Sequence, residues 1–561
     1  MILPKLNRKF KTWLLVLSLS AGAMLSFSFK DEFFEISRNI DIFVSMYREL
    51  DMYYVDDIKH GEIMKNGIDA ILESLDPYTN YIPESEIEDY RFMTTGQYGG
   101  IGSMIGQKGE YVVVTDPYEG FPAQKADLRA GDVILEIDGK TIKGKKTDEI
   151  SKILKGQPNT QVKLLVKRPG ESTPMEKVIT RAEIKINSVP YYGMLDNEVG
   201  YIKLTGFTEN ASQEVKTALL DLKNKNNAKS IVLDLRGNPG GLLNEAVDIV
   251  NLFVDRGIEV VTTKGKVKEW DKSYKAMNAP VDTQIPLVVL VNSGSASASE
   301  IVSGSIQDLD RGIVIGQRTF GKGLVQTTRP LSYNSQLKVT TAKYYIPSGR
   351  CIQALDYSHR NEDGSVGKVP DSLVSLFKTK KGRVVADGGG ISPDWAIKPE
   401  ELSNISRSLI TKQLIFDYAT EYRSKNPSIA PAKSFKLTDS EYEAFVAWLA
   451  DKDYDYVTRS EKSLDELKEI AIKEEYFEGM KKEFEALKKT LMHDKEADLK
   501  KFKPEIMELL QDEISSRYYF QKGRIENAFS YDPEILKAIE ALKDKAVFDN
   551  IMTKGPDINR K

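Results

Sequence analysis

The sequence predicts a multidomain protein of mixed α+β and α/β class, and three observations carry that prediction. The chain has 561 residues, enough for about three or four domains of common size. Between Val199 and Gly316, short apolar runs alternate with helical periodicities, the pattern of an α/β layer. Beyond about Pro399 the composition shifts to Lys, Glu and Asp at helical spacing.

Composition bounds the function as well. With 41% apolar and 29% charged residues and a net charge of -4, the chain reads as soluble and globular, with no electrostatic case for nucleic acid. Its one cysteine, Cys351, excludes an intrachain disulfide and a Cys-rich zinc site. No metal and no organic cofactor is expected.

The elements follow in order. Lys5, Arg8, Lys9 and Lys11 precede the apolar run "TWLLVLSLSAGAMLSFSF", which ends at Phe29. Such a segment is an export signal or a single membrane anchor. "AGA", Ala21 to Ala23, offers a cleavage site but the run continues past it, so both forms stay open. The remainder is expected on the outer side of the membrane, periplasmic or anchored in the cell envelope, touching lipid only through residues 1–30. Residues 31–94 read as helical, with Ile40, Phe43, Val44 and Met46, then Ile63, Ile68, Ile71 and Leu72 at three- and four-residue spacings.

A second unit, 95–185, opens with the glycine-rich "TGQYGGIG" and continues in short strands: "EYVVVTD", "GDVILEIDG" with its Asp138-Gly139 turn, and "QVKLLVKR". The third unit, 186–400, is the α/β layer, whose near-continuous apolar strands predict a sheet buried on both faces. In the C-terminal extension, 401–561, Phe477, Met480, Phe484, Leu487 and Leu491 form one apolar stripe that Pro504 is expected to break. The stripe reads as core packing, with a partner-binding face as the alternative.

The chemistry concentrates in the third unit. "VNSGSASASEIVSG" sets Ser293, Ser295, Ser297 and Ser299 between an apolar run and a helix. A serine hydroxyl needs a base before it can attack a carbonyl. The three histidines, His60, His359 and His493, lie away from the ends of core strands, which argues against a Ser-His-Asp triad. A G-x-S-x-G elbow is absent, and the S-x-x-K match at Ser375 to Lys378 lacks partner motifs.

The remaining base is a lysine, and "RTFGKGLVQTTRP" sets Lys322 between Gly321 and Gly323. A free lysine, at pKa about 10.4, needs roughly 4.6 kcal/mol to stand neutral at pH 7. Burial alone supplies shifts of that size. Gln326, four residues on, could hold the amine without adding a charge. The bland alternative is a surface lysine in a glycine turn. Finally "DLRGNPGG", Asp234 to Gly241, is a strand-to-helix turn whose backbone N–H groups suit an oxyanion.

Taken in order, "DLRGNPGG", "NSGSASASEI" and "GQRTFGKGLVQ" behind this small β unit closely resemble the carboxy-terminal processing peptidases, or tail-specific proteases. The resemblance runs from about Ile36 to Pro399. It implies Ser297 as nucleophile, Lys322 as base and Gln326 in support, with Ser295 and Ser299 as turn or cap residues. It implies an oxyanion hole from the N–H of Ala298 and of Gly240 or Gly241, a choice the resemblance leaves open. The implied fold is a crotonase-like α/β protease core with an inserted or preceding PDZ-like β domain, to which the chain's own patterning adds an N-terminal helical segment and a C-terminal helical extension that short family members lack. Gly99, Gly100, Ile101 and Gly102 of "YGGIG" then match the carboxylate-binding loop, and substrates are proteins or peptides with exposed C-termini. Arg129 is the candidate for a switch by which this domain restrains the site. The rival reading is an inactive scaffold that binds tails. Partners of the C-terminal helices and the oligomeric state are left open.

Overall fold

The computed structural model describes residues 33–361, 363–491 and 494–556. The expected signal or anchor, and His493, lie outside the described residues. Among the described residues no helix is long and apolar enough to cross a membrane. The chain separates into two compact units, the first ending at Tyr81 and the second starting at Ile82.

The first unit holds a helix over 33–53 and a second, His60–Glu73. The Tyr47 hydroxyl donates to the His60 carbonyl at 3.1 Å, and Asp51 lies 3.2 Å from the His60 ring, so His60 has a local structural role.

The second unit begins its β structure with β1 (Gln97–Gly100), paired antiparallel with β7 (Ala182–Lys185). Between them run β2 (Ser103–Lys108), β3 (Tyr111–Pro117), β4 (Val133–Ile137), α1 (Thr147–Leu154), β5 (Gln161–Lys167) and β6 (Met175–Thr180). The sheet order is β2-β3-β4-β5-β6, so β2 is an edge strand. Asp138 and Gly139 turn with φ 50° and 73°, the left-handed pair that a tight hairpin demands. Val112, Val114, Ile134, Ile150, Val162 and Leu164 are buried together as the core of this domain.

The larger sheet contains β8 (Tyr191–Met194), β9 (Val199–Lys203), β10 (Ser230–Asp234), β13 (Leu287–Val291), β14 (Ile313–Gly316) and β17 (Trp395–Ala396), in that spatial order. All neighbours after the first pair are parallel. Helices α2 (Ala211–Asn224), α3 (Leu243–Asn251) and α4 (Ala298–Asp308) belong to this layer.

Successive strand residues face opposite ways, and both sets are apolar. Ile231, Leu233, Leu287 and Val289 pack with Leu219, Val250 and Ile301 of the helices. Val232, Val288, Leu290 and Ile315 pack instead with Phe529, Ile535 and Ala538 from the far end of the chain. Each fully buried aliphatic side chain contributes about 1.5–3 kcal/mol, so both faces stabilise the sheet strongly.

A second sheet, which periodicity did not reveal, contains β11 (Glu259–Gly265), β12 (Lys272–Lys275), β15 (Leu324–Pro330) and β16 (Gln336–Tyr345). Strands β15 and β11 both pair antiparallel with β16, and β12 pairs with β11.

The extension is helical: α5 (Asn404–Thr411), α6 (Leu414–Lys425), α7 (Arg459–Lys473), α8 (Phe477–Leu491), α9 (Lys503–Ala528), α10 (Pro533–Lys543) and α11 (Lys545–Lys554) are its principal elements. Phe477 and Phe484 pack with Leu464 and Ala471 of α7, while Leu487 stays exposed. Pro504 does not end that stripe. Helix α8 stops at Leu491, and Pro504 stands in the first turn of α9, where a missing N–H costs nothing.

Candidate functional site

The three motifs lie at the carboxyl ends of adjacent parallel strands. Strand β10 runs into 235–241, β13 into 292–297 and β14 into 317–323. Ligands of α/β sheets bind beyond such strand ends.

Hydrogen bonds stitch the first two turns together. The Ala296 N–H and the Ser299 hydroxyl both donate to the Asn238 carbonyl, at 3.0 and 2.9 Å. The Ser295 hydroxyl donates to the Leu235 carbonyl at 2.8 Å. Ser295 and Ser299 are thereby engaged as struts between turns.

Ser297 caps α4 with φ 54° and ψ -111°, a backbone strain that only a well-determined surrounding sustains. It is partly exposed, as is Lys322. The surrounding is supplied by Glu300. This fully buried carboxylate accepts from the N–H of Ser297 at 2.8 Å, of Lys322 at 2.9 Å and of Gly321 at 2.7 Å, and from the Thr319 hydroxyl at 2.6 Å. Burial pushes its carboxyl up to about 7, while those hydrogen bonds pull it back down.

A second bridge joins the same residues: the Tyr344 hydroxyl donates to the carbonyls of Lys322 at 2.6 Å and of Ser297 at 3.1 Å. The spacing Ser297 to Glu300 is a capping-box spacing that the sequence displays. Tyr344, on β16, belongs to no comparable motif.

The glycines flanking Lys322 stand in narrow quarters. A Cβ on Gly321 would come within 2.4 Å of the Ala354 Cβ, and one on Gly323 within 2.8 Å of the Gln353 nitrogen. Gln326 is on β15, its amide nitrogen donating to the Thr340 hydroxyl at 3.1 Å.

Gly240 has φ 101°, and a Cβ there would stand 2.9 Å from the Ser297 Cβ and 3.0 Å from the Ala298 nitrogen. Its own N–H is engaged by the Asn238 side-chain oxygen at 2.9 Å. Gly241 forms a parallel bridge with Phe207, through the Gly240 carbonyl and the Leu242 N–H. The N–H of Gly241 itself therefore points away from Phe207. The Ala298 N–H, in the first turn of α4, has no acceptor within its helix.

Asp234 and Arg236 anchor the turn from below. Arg236 forks onto Asp234 and reaches Asp532 at 2.7 Å and Glu534 at 3.2 Å, while the Tyr201 hydroxyl donates to Asp234 at 2.7 Å. The charges of Arg236 and Lys203 hold the fully buried Asp234 carboxyl well below the usual carboxylate range, despite its desolvation.

The other sequence candidates lie elsewhere. His359 sits 2.7 Å from Asp356 but is almost fully exposed on a hairpin. Ser375 and Lys378 belong to the surface hairpin around Leu376–Lys378. In the β domain, Gly99 and Gly100 end β1, and a Cβ on Gly99 would lie 2.2 Å from the Gly156 carbonyl oxygen. The carbonyls of Ile101 and Gly102 accept from the N–H of Ala123 at 2.7 Å and of Tyr118 at 3.0 Å. Because peptide units are trans, the N–H groups of Gly102 and Ser103 are turned the other way. Arg129 is paired with Asp127 at 2.8 Å.

Comparison with known proteins adds three family matches: peptidase family S41 over residues 198–358, a PDZ domain over 113–168, and the C-terminal helical domain of probable PDZ-proteases over 405–542. The chain is 37% identical to a carboxy-terminal-processing protease of Bartonella bacilliformis, over 56% of this chain and 72% of that one. It is 39% identical to a probable CtpA-like serine protease of Staphylococcus aureus, over 56% of this chain and 62% of the relative. Among solved structures, a photosystem II D1 C-terminal processing protease matches at 30% identity and a TM-score of 0.35, over 64% of this chain and 93% of that one.

Proposed function

The chain belongs to the carboxy-terminal-processing peptidases of family S41, serine peptidases carrying a PDZ domain, and on that footing we propose that Ser297 is the nucleophile and Lys322 its base. The observation that carries this reading is Glu300, which holds the backbone N–H of both residues on one carboxylate. A structural cap would need only the first.

A protein C-terminus docks along β2 with its carboxylate at the Tyr98 to Gly102 loop, where the N–H groups of Gly102 and Ser103 receive it. An upstream peptide bond enters the site. Neutral Lys322 takes the hydroxyl proton as Ser297 Oγ attacks, and the Gln326 amide oxygen accepts from the lysine amine. The N–H groups of Ala298 and Gly241 hold the oxyanion. Gly240, whose N–H is engaged by Asn238, gives the room for it. Lys322 then protonates the leaving amine, the C–N bond breaks, and water clears the acyl-enzyme by the reverse route. The core is read as crotonase-like, its parallel strands carrying their helices on one face. Work in the cell envelope is supported by the basic and apolar segment ending at Phe29, and fractionation of cells expressing the full chain tests it.

The experiment is cleavage of a disordered protein with an apolar C-terminus by wild type, Ser297→Ala and Lys322→Ala, with the same substrate amidated at its tail. Loss of cleavage by about a hundredfold or more in both variants, with slower cleavage of the amidated substrate, is expected. Equal cleavage by all three proteins would overturn the assignment.

A further inference from the structure

The edge that should receive a tail is already touched by the helical extension. Strand β2 ends in a two-residue turn, Gly109 and Glu110, closed by the pair Lys108 and Tyr111. In such a hairpin the closing pair exchanges hydrogen bonds, so the next pair, Gln107 and Val112, points its backbone groups away from each other. The register agrees: Val112 pairs outward with Ile134 of β4. The N–H and C=O of Gln107 therefore face the open edge, and two residues back those of Ile105 do the same.

Gln413 occupies that edge. Its side-chain amide donates to the Gln107 carbonyl at 2.9 Å. One turn further along α6, Asp417 pairs with Lys108. Gln413 stands between α5 and α6 with φ 59° and ψ 20°, an uncommon conformation for a side chain of its size, held where the chain turns toward β2. Elsewhere Thr420 of α6 packs against Gly131 of the PDZ domain, and a cavity of about 270 Å³, lined by Asp116, Arg129, Arg168, Thr420 and Arg517 among others, lies beside that contact.

A tail adding antiparallel to β2, carboxylate first at the loop, places its third residue from the end opposite Ile105 and its fifth opposite Gln107. We propose that Gln413 sets the length of tail the PDZ domain accepts, because its amide holds the carbonyl that the fifth tail residue would use. Tails of up to four residues bind beside the docked helices. Longer tails bind only by displacing Gln413 and, with it, the Asp417 contact to Lys108. This rests on the tail-directed reading given above.

The test is binding of two labelled peptides, a tetrapeptide and a decapeptide with the same four apolar terminal residues, to the full chain carrying Ser297→Ala, with and without Gln413→Ala. Gln413→Gly serves as a second variant, since glycine accepts the left-handed backbone without strain. Removing the side chain is expected to tighten decapeptide binding threefold or more and to leave the tetrapeptide unchanged. Equal gains for both peptides, or none for either, overturn the proposal while leaving tail recognition standing. Binding of neither peptide to any of the proteins overturns the tail-directed reading, and this proposal with it.

Discussion

Glu300 accepts the backbone N–H of Lys322 at 2.9 Å, a hydrogen bond between the first turn of one helix and a loop that follows the next strand. The loop and the helix cap are otherwise separate pieces of chain. One buried carboxylate thus helps to set their relative position, beside the Tyr344 bridge and the Phe320 N–H to Ser295 carbonyl bond, and its ionisation reaches both Ser297 and Lys322 through their backbones.

Protonating Glu300 would turn an accepting oxygen into a donor facing other donors. With its carboxyl pushed up to about 7 by burial, kcat should fall as pH drops through that value while KM holds. Glu300→Gln should lower kcat about tenfold and flatten this limb of the profile. Stability moves the other way. The folded value lies above the ordinary 4.5, so the native state holds the extra proton between about 4.5 and 7, and this group's contribution is lost as pH rises through that window. Denaturant titrations at pH 5 and pH 8 check the sign: wild type should lose more stability than Glu300→Gln between them.

Tyr344→Phe removes the one hydroxyl that donates to both Ser297 and Lys322 carbonyls. Leaving buried acceptors unpaired costs about 1–3 kcal/mol. The expected result is a lower urea midpoint and a several-fold loss in kcat, with tail-peptide binding unchanged. An unaltered kcat would show that the carbonyl bridge does not govern the site.

Gly240→Ala should abolish cleavage and spare tail binding. The added methyl would meet the Ala296 carbonyl at 2.8 Å and the Ser297 Cβ at 2.9 Å, on a backbone at φ 101° that alanine resists. Single-turnover kinetics on a chromogenic peptide would register it; turnover within threefold of wild type would contradict the crowding argument.

Arg236→Ala should destabilise the chain by about 3–5 kcal/mol, because Asp234 is fully buried and would lose its guanidinium partner. Thermal unfolding gives the measurement. A loss below about 1 kcal/mol would mean that Lys203, 3.2 Å from Asp234, compensates.

Much of this was legible in the sequence, for identifiable reasons. Strands β10, β13 and β14 are buried on both faces, so they announce themselves as unbroken apolar runs. Strand β16 carries only a short alternation, Gln336 to Thr340, which breaks at Thr341, and Gln336 to Ala342 are all half-buried, so neither face marks a core. Tyr344, which bridges the site from that strand, was hidden with it. Glu300 was visible as a helix-capping residue. That it also receives Gly321 and Lys322 depends on where β14 delivers the chain, which no local pattern records. Pro504 was read as a terminator because proline breaks helices from within, yet position decides whether it ends one or begins one. Gln413 carries no signal at all, since its partner, Gln107, is a backbone carbonyl on a distant edge strand.

Helices α10 and α11 cover the second face of the catalytic sheet, packing Ile535, Ala538 and Val547 against Val232, Val288 and Ile315. The sheet bearing Ser297 is thus finished by residues that follow it far along the chain. A chain made only as far as Tyr531 holds all three motifs yet leaves one side of their layer open to water. Competence to cut should therefore arrive late and all at once, which would protect the cell from a peptidase that is still being made. Chains ending at residue 532 should bind an apolar dye and fail to cleave, and activity should return only when residues 533–554 are present.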